Sequence, residues 1–467
     1  MTNVGTAIKA PKLASVVARA IEDEVVASGW PVGTVLGSES ELLERFGVSR
    51  AVLREAVRIV EHSGAARMRR GPGGGLVVTE PNRDAVVAAI SIWLSYVGVT
   101  AAEIIEAWAP LAVQAARLAA ERRPPEVGPL AADIADLIED ETIDVEALAA
   151  LDTAMAGLSG NPAIALFAHA LNDIGMSRLR RQRDALWTDD ASQRATLAGY
   201  QRVITAIADG DVAGAEASMA HLAGTFLGRV SEPPRRRRRA AGDLPGTGKL
   251  AERVAEAVRD DIEREGWPVG AVLGSEVELI ERYQVSRAIL REAVRILEHH
   301  GAVRTKRGPH GGLVVAAPDG ASIVRAARLV LEHDGVTPGG LLAMRVAIEA
   351  EVARLAAERC TADDAALLGT VLQAEVDGSA VLNFHSLHAD IAAVARNRPL
   401  ALFVDVAAAL VQAHLPAEVR AGEGLQSLSG EVHAAHQRIV DAICGGDLET
   451  AERRMIRHLD AGAAVLT

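Results

Sequence analysis

Between Lys12 and Ser28 apolar residues recur every three to four positions. Leu13, Val16, Val17, Ala20, Ile21 and Val25 share one face, which predicts an amphipathic helix. Gly29-Trp30-Pro31 stops it, as glycine and proline do. Ser38-Glu39-Ser40-Glu41 has the serine and the later glutamate of a capping box and opens a second helix. Gly47 supplies a turn, and Ser49 caps a third helix with Val52, Leu53, Ala56, Val57 and Val60 on its inner side, ended by Gly64. Two short extended stretches, near Ala66–Met68 and Leu76–Val78, flank Arg69-Arg70-Gly71-Pro72-Gly73-Gly74-Gly75. Helix, turn, helix and hairpin predict a winged helix-turn-helix.

The same pattern returns further along. Residues 12–81 align without a gap to residues 249–318 at a constant offset of 237, and 46 of the 70 positions are identical. A period this long marks a duplicated domain and not a solenoid, whose repeats run to a few tens of residues. Each copy is followed by about 150 residues of helical text with few strand signals. The predicted fold class is therefore mainly α, with two winged domains each followed by an all-α bundle. The boundaries fall at 1–81, 82–230, a basic linker at 231–247, 248–318 and 319–467. The linker holds five consecutive arginines, Arg235 to Arg239, between Pro/Gly-rich flanks, and fits either added phosphate contact or a solvated run.

Charge sharpens the picture. The net charge of −13 at first argues against nucleic acid, but it is unevenly placed. Arg50, Arg54, Arg58, Arg67, Arg69 and Arg70 face only Glu55 and Glu61 in their stretch; Arg287, Arg291, Arg295, Arg304, Lys306 and Arg307 face only Glu292 and Glu298. Arg50, Arg54 and Arg58, at i, i+4 and i+8, lie on one exposed face of the third helix. Two focused basic stripes on an acidic body suit phosphate contact while limiting indiscriminate sticking. A helix so placed enters the major groove, where Arg pairs with guanine O6 and N7. Ser49 and Ser286 are placed to donate to a phosphate, and a glycine-rich wing carries Arg70, or Arg307, to the minor groove or backbone. Two cysteines, Cys360 and Cys444, are too few for a disulfide framework and suit a reducing cytoplasm. With no apolar run of about 20 residues and no signal-peptide core at the amino terminus, the expected place is the cytoplasm.

The run from Leu36-Gly37-Ser38-Glu39 through Gly47-Val48-Ser49-Arg50 to Arg58, with the wing Arg70 to Gly75, resembles the GntR family of bacterial regulators in both copies. Where that family usually has Pro, this chain has Gly37 and Gly274. Where it often has a base-contacting Arg, this chain has Ser40 and Val277. The resemblance implies Arg50, Arg54, Arg287 and Arg291 as DNA contacts.

The segment from Ala321 resembles the helical effector domain of the FadR branch. The match runs through Met344 to Glu349, Leu387-His388 with Asn397, His436 to Ile443, and His458-Leu459. The resemblance implies a divalent metal, zinc or nickel, held by His388, His436 and His458. The family's Asp is replaced by Phe384, for which His385 is a candidate substitute. Arg345 and Glu349 are candidate effector residues, Arg345 pairing either with a carboxylate ligand or with Glu349 one turn on. In the first half the same places hold Trp108, Ala112, Asp152 and Tyr200, with His221 near the third histidine, so that domain reads as degenerate and structural.

The expectation is a sequence-specific DNA-binding regulator, a repressor under a small-molecule effector for which a carboxylate is the candidate. The chain would act as a single-chain pseudo-dimer, or a homodimer of chains, on an imperfect inverted repeat in double-stranded DNA. An architectural DNA-binder without effector is the alternative. A fusion to a pyridoxal-phosphate enzyme is disfavoured, because from Pro11 onward the only lysines are Lys12, Lys249 and Lys306, all inside the repeats.

Overall fold

The computed structural model describes residues 13–71, 73–139, 145–181, 190–230, 249–306, 308, 311–376, 386–414 and 425–463. The first reader consists of α1 (Leu13–Ala27), β1 (Val35–Gly37), α2 (Glu39–Phe46), α3 (Arg50–Ser63), β2 (Ala66–Arg69) and β3 (Gly75–Val78). The capping box is present: Ser38 Oγ accepts from Glu41 N at 3.3 Å and Glu41 Oε2 accepts from Ser38 N at 2.7 Å. Ser49 Oγ accepts from Val52 N at 3.4 Å and starts α3. The wing is an antiparallel hairpin with Arg67 opposite Val77 and Arg69 opposite Gly75. It is completed by β1, a strand absent from the sequence expectation, which gives the order β1-β3-β2. A Cβ at Gly75 would stand 2.5 Å from the carbonyl oxygen of Gly37, so only glycine lets β1 and β3 close here.

One expectation is corrected. Leu13, Val16 and Ala20 are at the surface of α1, with Leu13 56% and Val16 47% exposed. The inner stripe is Ala14, Val17, Ala18, Ile21 and Val25, with Glu22 among them. The apolar set read from sequence was rotated by about one position, because a buried acid interrupts the true stripe.

Trp30 caps this core in a left-handed backbone conformation (φ 55°), which costs an L-residue roughly 1–2 kcal/mol. Burial of the indole and its Nε1–H donated to Thr79 O at 2.8 Å hold it there. Trp267 repeats the arrangement in the second reader, at φ 54° and with Ala316 O at 2.8 Å. That reader is α11 (Leu250–Arg264), β4 (Val272–Gly274), α12 (Glu276–Tyr283), α13 (Arg287–His299), β5 (Val303–Lys306) and β6 (Gly312–Val315), again as one three-stranded sheet.

Each reader is followed by a linker helix, α4 (Arg83–Tyr96) or α14 (Gly320–His333). The chain divides into two compact units that do not follow chain order. One runs to Val86 and takes in Ala321–Gly335; the other holds Val87–Gly320 and everything from Val336. In the first unit, α14 of the second half completes the first reader. Leu329 enters its core, His333 meets Trp30 edge-on at 5.4 Å, and Arg83 Nε donates to Asp334 at 3.1 Å. Arg325 and Arg328 reach the buried Glu22 at 3.8 and 3.9 Å. Burial still pushes the Glu22 carboxyl up, against the hydrogen bond from Ser63 and the two arginines.

In the second unit, α4 completes the second reader, with Ile92 in its core and Tyr96 against Trp267 at 5.8 Å. Here the charges are inverted. The place of Glu22 is taken by Arg259, which faces Asp173 at 4.0 Å and Glu256 at 3.9 Å, and the places of Arg325 and Arg328 are Ala88 and Ser91. The first reader is thus charge-matched to the linker helix of the second half, whereas Arg259 of the second reader meets its acids on α8 (Pro162–Arg181) and on its own helix, opposite neutral residues of α4.

The second unit also contains both helical bundles. The first has α5 (Ala101–Arg122) at its centre among α6 (Val127–Glu139), α7 (Val145–Leu158), α8 (Pro162–Arg181), α9 (Asp190–Asp209) and α10 (Val212–Val230). The second has α15 (Pro338–Arg359) among α16 (Ala362–Val376), α17 (Ser386–Val394), α18 (Arg398–His414), α19 (Leu425–Cys444) and α20 (Leu448–Ala463). The bundles meet across α5 and α15 in a nearly two-fold manner. Phe167 and Phe403, from corresponding stretches Ala165-Leu166-Phe167 and Ala401-Leu402-Phe403, stack on each other at 4.0 Å. The matching Asn161 and Asn397 donate across to Gly340 O at 2.8 Å and Glu103 O at 3.0 Å. Corresponding residues making corresponding contacts define an isologous interface, here built within one chain. Among the described residues, no helix is long and apolar enough to cross a membrane.

Candidate functional site

The exposed face of α3 carries Arg50, Arg54 and Arg58, and α13 carries Arg287, Arg291 and Arg295 in the same way. The Arg50 and Arg54 side chains are 68% and 69% exposed, yet neither points freely into solvent. Both place Nε 3.4 Å from the same oxygen, Glu39 Oε1, at the start of α2. In the second reader Glu276 holds Arg287 at 3.4 Å and Arg291 at 2.7 Å, and Arg291 keeps the Glu276 carboxyl below its ordinary range. This acid was not singled out from the sequence. At the first turn of a helix an acid is commonplace, since it faces the positive end of the dipole, and its second role needs the fold.

Arg58 pairs with Glu55 at 3.4 Å, while Ser49 and Ser286 are exposed at the ends of their helices. Arg70 is exposed at the wing, where Arg69 Nη2 donates to Gly73 O at 2.9 Å. Arg307 lies outside the described residues. Ser40 and Val277 are both at the surface, Val277 as one of the most exposed large apolar residues.

The second bundle gathers three histidines from three helices: His388 on α17, His436 on α19 and His458 on α20. His388 and His436 are buried and His458 is half-buried. His458 Nε2 stands 3.2 Å from His388 Nε2 and 3.3 Å from His436 Nε2. Nitrogens about 2.0–2.1 Å from a tetrahedral zinc are separated by about 3.3 Å, so this spacing suits a metal at the centre. The outer nitrogens are tied down by carboxylates. His436 Nδ1–H donates to Glu375 at 2.8 Å, and His388 Nδ1–H donates to Glu349, which Arg345 Nε also holds at 2.6 Å. A carboxylate can only accept, so both inner Nε2 lone pairs face the centre, the arrangement that orients metal-binding histidines.

The electrostatics agree. Burial pushes the Glu349 carboxyl up, but Arg345 and His388 outweigh it and hold the group well below the usual carboxylate range. Burial, reinforced by the other two rings, pulls His458 down to about 3, and burial lowers His388 against the pull of Glu349. His388 and His458 are thereby favoured as neutral imidazole, the form that binds a metal. Glu349 has its oxygens committed to Arg345 and His388, which makes it a support for the ring. Glu375, which also meets His433 at 3.2 Å, plays the same part for His436 and was missed, since nothing in the spacing along the chain ties it to the histidines. Phe384 and His385 lie outside the described residues.

The first bundle has the same positions filled. Tyr200 is fully buried and donates its hydroxyl to Asp152; burial raises that carboxyl to about 7 against the hydrogen bond. Trp108, in the place of Arg345, packs edge-on against Phe226 at 5.6 Å, and Ala112 is buried. His221 is exposed and is not gathered with them. Among the described residues, the histidine cluster is the one group of three or more metal-ligating side chains so placed.

Comparison with known proteins bears on both features. The profile described as "Bacterial regulatory proteins, gntR family" matches residues 13–76 and 250–311. That of the FCD domain matches residues 103–224 and 340–461, just over half of the chain. The chain is similar to the HTH-type transcriptional repressor NanR of Salmonella schwarzengrund (strain CVM19633), 29% identical over 229 residues that cover 46% of this chain and 84% of the relative. NanR of Salmonella newport (strain SL254) is 28% identical over 229 residues, covering 46% and 85%. Among solved structures, Streptococcus agalactiae GntR aligns with 46% of this chain and 99% of its own at 21% identity and a TM-score of 0.36.

Proposed function

Since the chain belongs to the GntR family of DNA-binding transcriptional regulators, in the FadR branch with the winged reader and FCD domain each present twice, we propose that it is an effector-controlled repressor working as a single-chain pseudo-dimer. The observation that carries this reading is the duplicated reader: both copies keep the arginine face, the capping serine and the glycine-rich wing on one chain. Ordinary relatives bring two readers to an inverted repeat by pairing two chains. Here the second reader is tethered, at an effective concentration on the order of millimolar. The proposed domains are the readers at 1–81 and 248–318, the linker at 231–247 and the bundles at 82–230 and 319–467.

The proposed signal enters the second bundle. His388, His436 and His458 would hold zinc or nickel, supplying a Lewis-acidic centre with coordination positions left for water or an effector carboxylate. Arg345 and Glu349 shape that site from behind His388. A ligand alters operator affinity only by binding two states of the protein unequally, and among the described residues the filled first bundle offers no comparable donor set. An architectural binder without effector is the second reading, favoured by that filled bundle. Footprinting of the upstream DNA with and without candidate carboxylates separates them: protection that changes with a carboxylate and metal supports the repressor, and protection indifferent to both supports the architectural protein.

Two outcomes are expected at the operator. Arg54→Ala and Arg291→Ala should each cost about 1–3 kcal/mol of binding if the contact is to a base. Titration of the footprinted operator measures this, and an unchanged affinity for either variant would make that reader a passenger. Selection from random DNA should return an imperfect inverted repeat, because the readers differ at Ser40 and Val277, Val52 and Ile289, and Gly73 and His310, the last outside the described residues. An exposed valine suits a thymine methyl where a serine suits a hydrogen bond. A perfectly symmetric consensus would contradict unequal readers.

A further inference from the structure

Glu39 and Glu276 stand in the first turns of α2 and α12, where Glu41 and Glu278 already close the capping boxes. Neither is needed as a cap. The arginines they meet are more than half exposed, and ion pairs so open to water contribute little to stability. Yet each acid meets two arginines of the following helix. In the first reader one oxygen serves both: Glu39 Oε1 is sealed from solvent, receives no hydrogen bond among the described residues, and stands 3.4 Å from Nε of Arg50 and of Arg54. In the second, Arg291 Nε donates to Glu276 Oε1 at 2.7 Å, and Arg287 Nη2 stands 3.4 Å from Oε2.

Which nitrogen is held decides what the side chain can still read. An arginine reads guanine O6 and N7 with two of its N–H groups. Held by Nε, the inner nitrogen, Arg50, Arg54 and Arg291 present Nη1 and Nη2 as a clear pair, whereas Arg287 is held by Nη2 itself. We propose that Glu39 and Glu276 are the specificity-determining residues of the two readers, holding these arginines by one edge so that the other edge selects guanine. The proposal rests on the reading of the arginines as DNA contacts. A free arginine side chain settles on phosphates, whose contacts carry no sequence information. The acid opposes this in two ways. It fixes the guanidinium before DNA arrives, so less freedom is lost on meeting a base. Its charge repels a phosphate brought beside the arginines, while a base edge carries no net charge. Duplex of unrelated sequence is thereby disfavoured more than the operator. With two clear pairs in the first reader and one in the second, the half-site under α3 should demand two guanines and that under α13 one.

Three duplexes bound by the full chain at equilibrium provide the test. They are the operator found by selection, the same duplex with each selected G·C pair changed to A·T, and a duplex of unrelated sequence. Glu39→Ala should raise affinity for the unrelated duplex, steepen its salt dependence, and cut the preference for guanine about tenfold at two positions of one half-site. Glu276→Ala should do so at one position of the other. Both should melt with the wild-type protein, since alanine is a good helix former at a partly exposed place. Glu39→Gln, whose amide oxygen can accept from both Nε groups, should keep most of the preference. If Arg54→Ala weakens the operator while Glu39→Ala keeps wild-type guanine preference, the hold is overturned and the arginines stand as contacts without it. A Glu39→Gln variant that loses the preference as fully as Glu39→Ala overturns it too. If Arg54→Ala leaves operator affinity unchanged, the DNA-contact reading itself fails and this proposal with it.

Discussion

Two polypeptides spanning residues 1–230 and 248–467 should fold poorly apart and combine as one heterodimer when mixed. Each reader lacks part of its core without the other half: the first needs Leu329 and His333, the second Ile92 and Tyr96. Homodimers of either half would restore a linker helix but the wrong one. In a homodimer of the first half, Glu22 would face Ala88 and Ser91 where it now faces Arg325 and Arg328. In a homodimer of the second, Arg259 would lose Asp173 and meet Arg325 and Arg328. Removing one partner of a buried pair costs about 3–5 kcal/mol. Glu22 escapes part of this by taking a proton, as its raised pKa implies, whereas an arginine cannot. The bias against homodimers is therefore expected to be stronger for the second half. Native mass spectrometry of a mixture of the two halves measures it. A statistical 1:2:1 distribution, or a half that melts alone as cooperatively as the intact chain, would refute the charge key.

The second large effect concerns the histidines. The intact chain should take up one zinc or nickel ion, and the His436→Ala, His458→Ala double variant should take up none, because a lone imidazole at His388 is not a site. Tyr200→Phe, which breaks only the bond to Asp152 in the first bundle, should retain the ion. Glu375→Gln should weaken metal binding by about 10–100-fold while leaving all three ligands in place, the usual loss when an outer-shell partner is removed. Metal content by mass spectrometry and competition with a chelating indicator report all three. Full metal content in the double variant would place the ion elsewhere.

Much of this was legible in the sequence because it rests on local rules. The capping boxes, the αL turn at Gly47 and the arginine spacing on α3 are set by residues within a few positions of each other, and all three histidines could be placed by resemblance. What escaped depends on distant partners. β1 is too short to show a period, and its pairing with β3 turns on the absence of a Cβ at Gly75. The inner face of α1 was misjudged because Glu22 looks like a surface residue until Arg325 and Arg328 arrive from 300 residues away. Glu39 and Glu375 are ordinary helix acids whose partners only the fold supplies.

The isologous meeting of α5 and α15 has a genetic consequence. A chain that binds its own second half has used the face by which a two-chain relative would recruit another copy. If the chain works as the proposed single-chain pseudo-dimer, operator occupancy falls in proportion to the number of molecules, not to its square, and persists when only a few are present in a cell. On the same reading, a damaged allele would produce damaged molecules alone, without mixed assemblies through which it could poison the products of an intact one.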